Sequence, residues 1–165
     1  MINAIVYQSK TGHTKKYAEI LSTRLNLPVL DIQEAKTKLK KGDEIIYLGW
    51  VCASKIMGLS KALRKYKVIC CGAVGAYPKI EENIQDLIKA NNLEIPLFYM
   101  QGGIDYSRLN KLYKKLLQAI GKTIENSNDN VDKQLVEMFE KGKDFVCEEN
   151  IKELADYIEN NRTKW

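Results

Sequence analysis

Long apolar runs are missing from this 165-residue chain. No stretch approaches the ~18 consecutive apolar residues that a membrane-crossing helix requires. The N-terminus, Met1-Ile2-Asn3, lacks a charged region followed by an apolar signal core, so the chain reads as cytoplasmic. Histidine occurs once, and the 4 cysteines, Cys52, Cys70, Cys71 and Cys147, have neither zinc-site nor CxxC spacing. Cys70 and Cys71 sit side by side in an apolar run, where strand geometry points them to opposite faces; they read as buried, unpaired thiols. Neither GxGxxG nor GxxxxGK[ST] is present, which removes the two common glycine-rich nucleotide loops. A one-signed charge block is also lacking. Lys and Arg number 26 against 21 Asp and Glu, a net +5, but the cations are interleaved with acids. That balance gives a weak anion preference and no nucleic-acid surface. The densest basic run, Lys36 to Lys41, reads as a solvated helix end.

What is present is an alternation. Ile2–Tyr7 is a mostly apolar strand, and Thr14–Leu25 is a helix with Tyr17, Ala18, Leu21 and Leu25 on one face. Pro28–Asp31, Glu44–Gly49, Val68–Val74 and Ile95–Met100 read as further strands. Gln33–Lys40, Gly58–Lys65 and Ile80–Asn91 read as the helices between them. Strands alternating with helices give parallel pairing through right-handed crossovers. The expectation is an α/β fold: a doubly wound, five-stranded parallel sheet of order 2-1-3-4-5 with helices on both faces. Beyond the fifth strand, Ser107 is expected to cap a helix striped with Leu109, Leu112, Tyr113, Leu116, Leu117, Ile120 and Ile124. A polar loop, Glu125–Asn130, and two helices, Val131–Glu140 and Glu148–Asn160, complete the chain. It is expected to be one domain, with core units in 1–124 and a helical appendage of extra C-terminal helices in 125–165.

In an open parallel sheet, ligands bind beyond the carboxyl ends of the strands. After strand one comes "SKTGHT", Ser9 to Thr14. Backbone amides from Lys10 to Thr14 would converge at a helix N-terminus, where unpaired N–H groups and the helix dipole favour an anion. Ser9, Thr11 and Thr14 add hydroxyls, and Gly12 permits close approach. No carboxylate follows strands one or three to hold magnesium, so a monophosphate ester fits better than a triphosphate. His13 reads as a solvent-facing loop residue. Strand three is followed by Trp50, Val51, Cys52, Ala53, Ser54 and Lys55, and strand four leads from Ala73 and Val74 to Gly75 and Tyr77. Two aromatics and small residues at neighbouring strand ends suit a flat heterocycle. Cys52 is either a packing residue or a redox-sensitive thiol.

At these residues a family resemblance emerges. "SKTGHT" resembles the phosphate loop of flavodoxins, and "GWVCASKIMGL" and "GAVGAYPK" resemble the two loops that hold their flavin ring. The resemblance spans about Met1 to Asp105. It implies non-covalent FMN, with Ser9, Lys10, Thr11, Gly12, His13 and Thr14 at the phosphate. Trp50, Val51, Cys52, Ala53, Ser54, Ala73, Val74, Gly75 and Tyr77 would lie at the ring. It implies either an electron carrier serving a redox partner protein or a flavoenzyme with a small-molecule donor or acceptor, such as an NAD(P)H/quinone reductase or a protoporphyrinogen-oxidising enzyme. This chain departs from typical carriers in being basic, and in carrying Lys55 where their ring loops are acidic. A cation beside the ring would raise the flavin potential.

Overall fold

The computed structural model describes residues 1–127 and 133–164. Strand β1 (Ala4–Gln8) leads into α1 (His13–Leu25), β2 (Val29–Asp31), α2 (Ile32–Lys38) and β3 (Glu44–Cys52). A two-residue strand, β4 (Lys55–Ile56), then precedes α3 (Leu59–Lys65), β5 (Lys67–Gly75), α4 (Glu81–Asn91) and β6 (Leu97–Gln101). The remainder is β7 (Gly103–Ile104), α5 (Lys111–Ser127), α6 (Lys133–Lys141), β8 (Lys143–Asp144) and α7 (Glu148–Asn160). No helix among the described residues is long and apolar enough to cross a membrane.

The main sheet runs β2-β1-β3-β5-β6, all parallel. Counted among themselves, these strands have the expected order 2-1-3-4-5. Two short additions were not anticipated: β4 folds back antiparallel on β3, and β7 pairs antiparallel with β8. Side-chain alternation along the strands builds a core on each face. One face packs Val6, Tyr47, Cys71 and Tyr99 against α2, α3 and α4 through Ala35, Ala62 and Leu87. The other packs Ile5, Ile46, Leu48 and Cys70 against α1 and α7 through Leu21, Leu154 and Ile158. Cys70 and Cys71 thus face opposite layers, free and buried, and burial pushes the Cys70 thiol up to about 12.

The last helix therefore packs as a layer helix beside α1. The additional structure lies between β6 and α7, where Met138, Phe139 and Ile104 form a small third core with Leu117, Ile120 and Ile124 of α5. The N-terminus of α5 differs from expectation. Ser107 belongs to a 3₁₀ turn, Tyr106–Arg108, capped by Asp105, and Asn110 caps α5 by accepting the Tyr113 amide at 2.9 Å. Glu125, Asn126 and Ser127, expected in a loop, extend α5. The rest of that expected loop, Asn128, Asp129 and Asn130, lies outside the described residues, as do Val131 and Asp132 at the expected start of the next helix.

Candidate functional site

The turn between β1 and α1 is set by Gly12, whose φ of 104° is left-handed and forbidding to most side chains. Its amide donates to Ser9 Oγ at 3.0 Å. Helix α1 has no side-chain N-cap and no acid in its first turn. First-turn amides have no partner within a helix, so this end offers donors and a positive dipole to an incoming anion. Thr14 is buried behind it. His13, expected in solvent, is only 5% exposed. Its Nδ1 lies 3.0 Å from Thr11 Oγ1 and its Nε2 3.6 Å from Asp144 Oδ1. Burial lowers its pKa; Asp144 opposes that, and Lys16 adds to it. Asp144 is itself salt-bridged to Lys16. Burial raises its carboxyl, but hydrogen bonds from Lys16 and the Val146 amide, with the nearby charges, hold it below the usual range.

The segment after the third strand is a hairpin rather than a loop. Strand β3 continues through Trp50, Val51 and Cys52, with Val51 opposite Ile56 and Cys52 opposite Lys55. Ala53 (φ 46°) and Ser54 (φ 59°) make the connection, both left-handed, as a two-residue hairpin of type I′ requires. Asn91 pins this hairpin from the end of α4. Its Nδ2 donates to Ser54 O (2.9 Å) and Leu87 O (2.8 Å), and its Oδ1 accepts the Ile56 amide (3.0 Å). Lys55 points the other way, donating to the Ala90 carbonyl.

At the end of β5, Tyr99 Oη donates to Tyr77 O at 2.7 Å, and a Cβ on Gly75 would come within 2.2 Å of that hydroxyl. The Tyr77 ring packs 5.5 Å from Phe139. Gly102 joins several parts: its amide donates to Gly75 O, its carbonyl accepts the Phe145 amide (both 2.8 Å), and a Cβ there would lie 3.2 Å from His13 Cβ.

These segments enclose one cavity of about 720 Å³. Ser9, Lys10, Thr11, His13, Thr14, Trp50, Val51, Cys52, Ala53, Ser54, Val74, Gly75 and Tyr77 all line it. Ala73 does not; it is fully buried in β5. Gly12 faces a second cavity of about 550 Å³ on the far side of the loop. Lys55 lines neither. The sequence reading missed Asp86 and Asn83 on α4, and an apolar wall from Tyr113, Leu116, Leu117 and Ile120 of α5 with Phe139 of α6. The α5 stripe was visible but read as core packing; Leu116 is 54% exposed and borders the cavity. Lys10 Nζ sits 5.5 Å from the Tyr113 ring centroid. No cluster of metal-ligating side chains occurs among the described residues.

The family model for the flavodoxin domain matches residues 4–132. A flavodoxin from the domain Archaea is a structural neighbour at 16% identity, with 66% of this chain and 88% of that one covered and a TM-score of 0.37. No curated protein matches the chain. Matched over most of its length, and carrying the parallel sheet of that fold, this chain belongs to the flavodoxin domain family.

Proposed function

We propose that this chain binds FMN non-covalently and works as a redox protein in the cytoplasm, passing electrons through the flavin. The observation that carries this reading is the convergence of the Ser9–Thr14 turn, the Trp50–Ser54 hairpin and the Val74–Tyr77 turn on one cavity. The fit is chemical as well as spatial. An uncapped helix N-terminus without a first-turn acid suits a phosphate, and a cavity walled by Trp50, Tyr77 and aliphatic side chains suits a flat ring.

In this reading the α1 amides and the hydroxyls of Ser9, Thr11 and Thr14 hold the phosphate, with Ser9 giving up its acceptor role toward the Gly12 amide. Trp50 and Tyr77 flank the ring, and the α5 wall keeps water from it. Bound FMN supplies the chemistry, taking up a hydride or single electrons at its ring. The protein sets access and potential. Asp86 is the carboxylate lining the cavity, and its charge disfavours electron-rich flavin.

A second reading, a flavoenzyme acting on a small molecule, is favoured by the added wall. Tyr113, Leu116 and Leu117 lie outside the parallel-sheet units and extend the cavity with apolar surface. NAD(P)H/quinone reduction and protoporphyrinogen oxidation are candidate activities of that class.

Titration with FMN and riboflavin, followed by quenching of flavin fluorescence, tests cofactor binding. Trp50→Ala is expected to weaken both flavins by about tenfold, the loss of one stacking platform. Absence of binding by the wild-type chain removes the reading. An anaerobic reductive titration with and without NAD(P)H then separates the two classes. One-electron steps without nicotinamide oxidation mark a carrier; turnover marks an enzyme.

A further inference from the structure

We propose that the second cavity, on the far side of the Ser9–Thr14 turn, binds an anion carrying two or more phosphate groups, separately from the cavity assigned to the flavin. Three segments build it. The first turn of α1 supplies Lys15 and Lys16, the 3₁₀ turn Tyr106–Arg108 supplies Arg108, and the link from α6 to β8 supplies Lys141 and Lys143. Five cations from three parts of the chain thus border one space of about 550 Å³, within the ~300–1,000 Å³ typical of small-molecule sites. None of the five lines the first cavity, whose lining includes Lys10 instead.

The backbone brings these cations together. The bare α-carbon of Gly12 lets the Arg108 guanidinium lie on the turn: Nη1 is 2.8 Å, and Cζ 3.4 Å, from the place a Cβ there would occupy. Gly142, left-handed at φ 85°, makes the turn between Lys141 and Lys143 and packs on β7, where a Cβ would lie 2.6 Å from the Ile104 carbonyl oxygen. Pairing of Gly103 with Asp144 and of Ile104 with Lys143 holds that link beside the 3₁₀ turn. Tyr106 Oη, donating to the Phe139 carbonyl, ties the turn to α6.

The charge at this cavity is unbalanced. Three acids line it, Glu19, Asp105 and Asp144, against the five cations. Each acid is already engaged. Glu19 meets Lys15 at 3.7 Å. Asp105 accepts the Ser107 amide at 2.9 Å and the Ser107 hydroxyl at 2.6 Å, and pairs with Arg108 Nε at 3.3 Å. Asp144 accepts from Lys16 and from the Val146 amide. Lys141 reaches Glu137, one helical turn back on α6, at 4.0 Å. The Arg108 and Lys141 side chains remain 61% and 73% exposed. Exposed ion pairs of this kind hold their cations only weakly, so both can turn to a ligand. The Arg108 Nη groups present the planar fork that matches phosphate oxygens. One phosphate meets one segment of a space this size; linked phosphate groups meet cations on several.

The test is calorimetric titration with inorganic pyrophosphate and with NADP⁺, without FMN and then with FMN in excess. Expected is pyrophosphate binding that weakens with added salt and persists when FMN is present. It should be about tenfold weaker in Arg108→Gln, the scale of one charge-assisted contact, and weaker again when Lys141→Gln is added. Lys10→Gln, in the first cavity, should leave it unchanged. Glu19→Gln should tighten it, a gain that misfolding cannot produce. His13, the chain's only histidine, lines both cavities; its NMR resonance should move with pyrophosphate in the wild type and not in the double variant. NADP⁺ binding more tightly than pyrophosphate, with the same sensitivity to the variants, supports the site and makes a dinucleotide its source of phosphate; the reverse order supports it with a free anion. Absence of binding by both anions, displacement of pyrophosphate by FMN, or a loss in Lys10→Gln but not in the double variant would overturn the proposal. A chain that binds pyrophosphate but no FMN loses the flavin reading alone.

Discussion

Gly12 and His13 are neighbours with opposite demands. Gly12 needs its left-handed φ of 104° and the space that Arg108 fills. Gly12→Ala is expected to cost about 1–3 kcal/mol in strain, read as a lower Tm of the flavin-free protein, and to weaken FMN more than riboflavin. His13 is held neutral in the fold: burial lowers its pKa, with Lys16 and Arg108 adding to this and Asp144 and Asp105 opposing. The folded state thus binds fewer protons at this site than the unfolded chain does. Its contribution to stability is present above the unfolded value of about 6.5 and is lost as pH falls through the lower folded value. Urea unfolding of His13→Gln should be flatter across that window than wild type; parallel curves would refute the assignment. Lys55 and Asp86 reverse an expectation drawn from sequence. Lys55 donates to Ala90 and lines no cavity, so Lys55→Ala should leave the flavin potential unchanged, whereas Asp86→Asn should raise it. The hydroxyl-rich turn was legible because Ser9, Thr11 and Thr14 lie within one short stretch of sequence. The burial of His13 was not, because Asp144 approaches it from the other end of the chain.

Among the elements, the hairpin formed by β3 and β4 carries Trp50, which lines the main cavity, and a side chain on another element fixes it. Asn91 makes three hydrogen bonds there, two from its amide nitrogen and one to its oxygen. Asn91→Ala should destabilise the protein by about 1–3 kcal/mol, since it strips two partly buried hydrogen bonds, to Ile56 and Leu87, and an exposed one to Ser54. It should weaken FMN and riboflavin alike; a selective loss of FMN would contradict this. Periodicity located the strands of the main parallel sheet and the helices to within a few residues, because apolar alternation and helical stripes are local signals, but not the two-residue strands β4, β7 and β8. It stopped β3 at Gly49, although apolar residues continue to Ala53. Continuation to Cys52 depends on pairing with Val74 across the sheet and with Lys55 and Ile56 in the hairpin. The α5 stripe likewise gave the helix but not its purpose, since a face turned to a cavity and a face turned to a core have the same pattern.

At the scale of the molecule, two large cores sandwich the sheet and a third, smaller one sits apart under α5 and α6. The division should be visible energetically. Leu154, fully buried on α7 against the sheet, is expected to cost about 2–5 kcal/mol of global stability when changed to Ala. Phe139→Ala should instead act locally, lowering hydrogen-exchange protection in α5 and α6 before that of β1 or β3. A uniform loss of protection across all elements would merge the two units.

Gly102 gives that division a mechanical meaning. Its amide is bonded to the cavity-lining turn at Gly75, its carbonyl to the start of the return path at Phe145, and its bare α-carbon abuts His13 at the head of α1. Within one residue, the aromatic end of the cavity, its anionic end and its outer wall share a fulcrum. A displacement of the wall is therefore levered onto both ends of the cavity at once, and the three cannot relax independently.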